Sequence, residues 1–80
     1  MTIRVLLFAS YADAIGAPEI SLELPDGSRV GDLVERLRSL PGADGLPPSP
    51  LVAVNASYAA SSVLLSRGDE VAIIPPVAGG

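Results

Sequence analysis

Apolar and polar positions along the chain recur with two different periods, and the switches between them mark out the elements. Thr2 to Ala9 (TIRVLLFA) is dense in β-branched and apolar residues and predicts a largely buried strand. Ser10 to Gly16 predicts a short connection, a single helical turn ending at the glycine. From Pro18 to Leu24 the pattern alternates, with Ile20, Leu22 and Leu24 on one side and Glu19, Ser21 and Glu23 on the other. That is a half-buried strand, paired antiparallel with the first. Pro25-Asp26-Gly27 then supplies a turn: proline sets φ, aspartate bonds back to the backbone and glycine takes the positive φ. Beyond it the period lengthens. Val30, Leu33, Val34, Leu37 and Leu40 form an apolar stripe at helical spacing. Asp32 with Arg36, and Glu35 with Arg38, are spaced to pair on its wet face. Ser28 is the expected N-cap, Asp32 complements the positive first turn, and Pro41-Gly42 stops the helix.

Pro41 to Pro50 (PGADGLPPSP) is a loop by composition. Leu51 to Val54 predicts a short buried strand and Asn55-Ala56 a turn. Tyr58 to Leu65 predicts a weak strand interrupted at Ser61-Ser62. Ser66 to Asp69 is a further turn before a last buried strand, Glu70 to Ile74 (EVAII). One amphipathic helix must bury its stripe against one face of a sheet. A first hairpin, a crossover helix and a final apolar strand lying beside the first give an α+β chain. Its mixed sheet packs on one main helix, the β-grasp or ubiquitin-like arrangement. The domain is expected over 1–74, with an extended, flexible tail over 75–80. A ferredoxin-like alternative needs a second helix of comparable length, which the proline-rich 41–50 stretch cannot supply.

Composition narrows the chemistry. Eighty residues make one small domain. With no cysteine and no histidine, the chain has no disulfide, no thiol nucleophile, no usual zinc ligands and no imidazole base, so no metal is expected. Nine acidic residues against five arginines, with no lysine, give a net charge of −4. That balance disfavours nucleic acid, whose phosphates call for clustered positive charge. No apolar run is long enough to cross a membrane, and Met1 to Val5 lacks the regions of a secretory signal, so a cytoplasmic protein is expected. The carboxylate pairs Glu23/Asp26 and Asp69/Glu70 sit beside turn signals, where acidic residues are ordinary. An independent enzyme is not expected.

What remains is the ending, Pro75-Pro76-Val77-Ala78-Gly79-Gly80. A terminal Gly-Gly offers a carboxylate with no side chain on either residue, open to attack inside a narrow channel. The two prolines stiffen the base of the tail and hold its tip away from the body. Such a tail suits a carrier whose reacting atom is its own carboxyl, and a frayed end without function is the other reading.

These residues resemble the small, sulfur-carrying subunit of molybdopterin synthase over the whole chain. The resemblance rests on Val5-Leu6-Leu7-Phe8-Ala9, Gly16, Val30-Gly31-Asp32-Leu33 and Val52-Ala53-Val54-Asn55. It continues through Gly68-Asp69-Glu70-Val71-Ala72 and the double proline before Gly79-Gly80. It implies that a ubiquitin-activating-type adenylyltransferase uses ATP to convert the Gly80 carboxyl to a transient acyl-AMP. Sulfur delivered by a sulfurtransferase then displaces AMP, leaving a glycyl thiocarboxylate and no permanently bound cofactor. The tail would insert into the large synthase subunit, in a heterotetramer, and build the dithiolene on cyclic pyranopterin monophosphate.

Carried onto this chain, the resemblance makes Gly80 the reacting residue and Gly79 the residue that permits access. Pro75, Pro76, Val77 and Ala78 form the inserted tail. Phe8, Tyr58 and Ile74 match an apolar patch presented to partners. Phe8 and Ile74 lie in apolar strands, so core and patch are both open for them, whereas Tyr58 beside a turn is expected to be exposed. Many relatives carry an Arg-Glu pair where this chain has Ala12-Asp13. Carriers for thiamin or cysteine biosynthesis, and ubiquitin-like protein modifiers, share the fold and the tail and stand as alternatives.

Overall fold

The computed structural model describes residues 1–76. Its elements in chain order are β1 (Thr2–Leu7), α1 (Ala9–Ile15), β2 (Glu19–Glu23), α2 (Val30–Arg38), a 3-10 turn (Ala43–Gly45), β3 (Leu51–Val54), β4 (Ser57–Tyr58) and β5 (Glu70–Ile74). The strands form one mixed sheet in the order β2-β1-β5-β3-β4. β5 runs parallel to β1 and antiparallel to β3, and the other pairs are antiparallel. This is the expected β-grasp.

The core lies between α2 and one face of the sheet. Val30, Leu33, Val34 and Leu37 are buried on α2, as the stripe requires. They meet Ile3, Val5, Leu7, Leu22, Val71 and Ile73 from the three adjacent strands. Each fully buried leucine or isoleucine contributes about 1.5–3 kcal/mol, so this layer dominates the stability of so short a chain.

Several expectations need correction. β1 stops at Leu7, because Ala9 takes a left-handed φ of 47° and turns the chain into α1. α1 is two turns rather than one, ends at Gly16 as expected, and buries Tyr11 in the core. It is nearly as long as α2, yet it joins antiparallel neighbours, so it is no crossover and the ferredoxin-like arrangement does not arise. The 41–50 stretch is not bare loop: its 3-10 turn carries Ala43, and Ala43 and Leu46 are both buried in the core. The weak strand expected over 58–65 reduces to the two residues of β4 plus an isolated bridge between Leu64 and Arg29.

Ser28 does not cap α2. It is buried, and its hydroxyl donates to the Pro25 carbonyl at 2.7 Å, closing the preceding turn. The cap position falls to Arg29, whose guanidinium has no acceptor to offer. Asp32 reaches back instead and accepts the Arg29 backbone N–H at 2.8 Å. The next two donors, the N–H groups of Val30 and Gly31, go to the carbonyls of Val63 and Ser61, each at 2.9 Å. The helix start is thus satisfied by the backbone of a distant segment. Neither Asp32–Arg36 nor Glu35–Arg38 forms an ion pair among the described residues.

Gly42 shows how closely the 3-10 turn is fitted to α1. It has φ of 88°, and a Cβ there would collide with the carbonyl of Ala14. Gly27 has the same φ with open space around it. Left-handed backbone costs an alanine about 1–2 kcal/mol by itself. Thermal or denaturant unfolding of the two variants separates the terms. Gly27→Ala is expected to lose about that much, and Gly42→Ala distinctly more, because backbone atoms must also move apart.

Candidate functional site

Strand alternation sends every second side chain of the sheet away from α2, and pairing aligns these side chains into rows. Leu6 stands beside Ala72, Ala72 beside Ala53, and Ala53 beside Tyr58, a row crossing four strands. One step further along β5, Ile74 pairs with Leu51. Phe8 follows the Leu7–Ile73 pair and is still extended (φ −127°, ψ 153°), so alternation carries it to the same face, level with Ile74. The two alanines are small, which leaves a shallow apolar floor between larger side chains.

The face is uncovered. Phe8 is 47% exposed, Leu51 49% and Tyr58 73%. Leu6, Ala72 and Ile74 are half-buried. Neighbouring apolar side chains left this open are more than scattered surface leucines and make a contiguous apolar patch.

One border of the patch is ionic. Arg4, one row beyond Leu6, reaches Glu70 at 2.8 Å and Glu19 at 3.4 Å, tying β1 to both of its neighbours. All three side chains are about half exposed, so the pairs add little to stability. Their effect is to mark where the apolar floor ends.

The other border is where the chain leaves the sheet. β5 is the central strand, and it passes from Ile74 to a half-buried Pro75 and an exposed Pro76. Val77, Ala78, Gly79 and Gly80, the rest of the expected site, lie outside the described residues. The tail is therefore rooted at the edge of the apolar floor, between Phe8 beyond β1 and Leu51 on β3.

Phe8, Tyr58 and Ile74 all fall on this one face. The core reading of Phe8 is excluded by its exposure, and Ile74 points away from the α2-facing core. Leu51, Leu6 and Ala72 belong to the same surface, although sequence reasoning does not single them out. The signal for Leu51 is slight, since in LVAV every position is apolar and the alternation of faces cannot be seen. On the opposite side a cleft of about 230 Å³ lies between α2 and the 48–50 and 59–61 segments. No residue of the expected site lines it. No helix among the described residues is long and apolar enough to cross a membrane.

Known proteins share this sequence and architecture. The molybdopterin synthase sulfur carrier subunit of Chlamydomonas reinhardtii is 37% identical over the whole of both chains. The Arabidopsis thaliana protein of the same name is 34% identical over 98% of this chain and 82% of its own. Among solved structures, small archaeal modifier protein 1 of H. volcanii superposes with a TM-score of 0.83 at 27% identity. That match covers 95% of this chain and 98% of the other. The model of the ThiS family matches residues 5–80, and the chain belongs to that family.

Proposed function

We propose that this chain is the sulfur-carrying small subunit of a cytoplasmic molybdopterin synthase, a donor rather than a catalyst. The observation that carries the proposal is the root of the tail: the central strand runs out beside an open apolar face into Pro75-Pro76, and the sequence there continues to Gly79-Gly80. A partner that docks on the face receives the tail at a fixed place, so only the last few residues need to find their channel. The full-length relatives named as sulfur carrier subunits support the pathway.

The proposed cycle starts with the Gly80 carboxylate attacking the α-phosphate of ATP in an adenylyltransferase, which releases pyrophosphate. The acyl-AMP so formed has a good leaving group. A persulfide sulfur from a sulfurtransferase displaces AMP, and reduction of the resulting disulfide by a thiol leaves the glycyl thiocarboxylate. In the large subunit that sulfur attacks a side-chain carbon of the pterin precursor and displaces an oxygen substituent from it. Hydrolysis of the glycyl–sulfur bond then leaves the sulfur on the precursor and returns the carboxylate. This chain's residues supply docking, reach and an unhindered acyl group. Phe8, Leu51, Tyr58 and Ile74 form the docking surface, and the prolines hold the tail extended. Gly79 and Gly80 let the partner's walls close around the backbone.

The likeness to a small archaeal modifier favours a second reading, attachment of Gly80 to amines of other proteins. The first test separates the two. Intact-mass measurement after incubation with ATP, the activating enzyme and a sulfur donor is expected to show the exchange of one oxygen for one sulfur. Unchanged mass with a competent activating enzyme, or conjugates that survive denaturation in place of thiocarboxylate, would overturn the carrier reading.

Two variants test the division of labour. Extending the chain beyond Gly80 should abolish sulfur loading and leave the melting temperature unchanged, because the core closes without the tail. Tyr58→Asp should weaken binding to the large subunit by about tenfold or more while the domain stays folded, since an exposed edge aromatic contributes to the interface and little to the core. Titration calorimetry with melting curves reads both effects.

A further inference from the structure

Tyr58 has an exposed ring and stands on the weakest strand of the sheet. β4 has two residues and pairs with β3 alone among the described residues, through Ala53↔Tyr58 and Val54↔Ser57. The ladder continues through the Ala59 N–H, which donates to the Val52 carbonyl at 2.9 Å. Packing does not hold a ring that is 73% exposed, so its position depends on the backbone beneath it.

That backbone turns at Asn55-Ala56, where φ is 49° and 71°. Two successive left-handed residues between paired Val54 and Ser57 make the tight hairpin turn whose hand matches the twist of the strands. Glycine is the usual second residue of such a turn, and this chain keeps an alanine in a conformation that alanine disfavours. Asn55 is tied down on every side. Its backbone N–H donates to the Glu70 carbonyl at 2.8 Å, and its side-chain oxygen accepts the Glu70 N–H at 3.0 Å. Its side-chain NH₂ donates to Asp69 at 2.9 Å, and the second oxygen of Asp69 accepts the Ser66 N–H at 2.7 Å. One amide therefore clasps the β3–β4 turn to the turn that opens β5, the strand bearing Ile74.

We propose that Asn55 is a positioning residue for the docking surface: its clasp on Asp69 and Glu70 fixes the Tyr58 edge relative to Ile74 and the root of the tail. The clasp lies outside the hydrophobic core, at the end of β5 far from Ile74. Its loss loosens β4 before it loosens the sheet. The consequence for binding rests on the proposed large-subunit partner, but the consequence for β4 does not.

Asn55→Gly tests this together with Asn55→Asp: glycine accepts the positive φ and removes the amide, although it also frees the backbone, and the aspartate keeps the backbone restraint. Hydrogen exchange in the free chain should show protection of the Ala59 N–H falling by about tenfold more than that of a central amide such as Val71. Asn55→Asp keeps the acceptor but sets a carboxylate against Asp69, and should loosen β4 in the same way. Affinity for the molybdopterin synthase large subunit should fall in Asn55→Gly, and the same change should have no further effect in a Tyr58→Ala background. Protection that falls equally at Ala59 and Val71 would overturn the proposal. So would Asn55→Asp behaving as wild type, or binding losses from positions 55 and 58 that multiply independently. A wild-type chain that fails to bind the large subunit would sink the functional reading, and the exchange experiment alone would then decide the clasp.

Discussion

The parallel pairing of β1 with β5 is the contact on which the rest of this small protein depends. It joins the first and last strands, setting Arg4 beside Glu70 and Leu7 beside Ile73, and places β5 in the centre of the sheet. Without it the sheet would divide into a two-stranded β1–β2 ribbon, too small to persist in water, and a three-stranded β5-β3-β4 remnant. With it, the buried residues of β1 and β5 form one surface broad enough to cover the stripe of α2. Because β5 pairs on both sides, the segment that carries the tail is also the segment whose removal would divide the core. The chain's exit through Pro75 and Pro76 is thus anchored to the strand that pairs on both sides.

A five-stranded sheet with its long helix on one side leaves the other side to be dealt with, and here charge does only part of the work. Ser21, Arg4, Glu19 and Glu70 make one half of the open face polar, as solubility demands. The other half, towards the exit of β5, stays apolar. In an acidic chain with no lysine, polar substitutes were available at Leu51 and Tyr58, and neither position is required by the core. Leu51 borders the root of the tail and Tyr58 stands on the edge strand β4, so the open surface runs from the exit of β5 to the sheet edge. On the reading proposed above, binding energy gathered on a rigid face would offset the cost of ordering a chain end, which would otherwise weaken the complex.

Much of this is readable in the chain, and the parts that are not have physical reasons. The stripe of Val30, Leu33, Val34 and Leu37 and the alternation in β2 are strong periodic signals backed by burial, and both elements form where expected. The place of β5 next to β1 follows from two apolar strands with a crossover helix between them. α1 is longer than its residues announce, because ASYADAI has no cap and only Tyr11 and Ile15 at helical spacing. Its length is set by packing against the 3-10 turn, through contacts such as Gly42 with Ala14. Ser28 looks like the cap of α2 because local side chains are the only caps a sequence displays. The donors go instead to the carbonyls of Ser61 and Val63, about thirty positions away, and no residue type announces a backbone acceptor.

The same limit governs the candidate site. Phe8 and Ile74 are ambiguous in the sequence because an apolar residue at a strand end is equally suited to either face, and only the register decides between them. Register in turn depends on turns whose geometry is local but whose anchoring is not. Asn55-Ala56 reads as a turn from its first residue alone, yet the hydrogen bonds that hold it in a strained form come from Asp69 and Glu70. Asn55 and Gly68-Asp69-Glu70, two separate parts of the resemblance when read along the chain, are therefore one structure in space. A sequence records such a clasp as two unrelated short motifs, and the fold is what shows that both serve the strand edge on which Tyr58 stands.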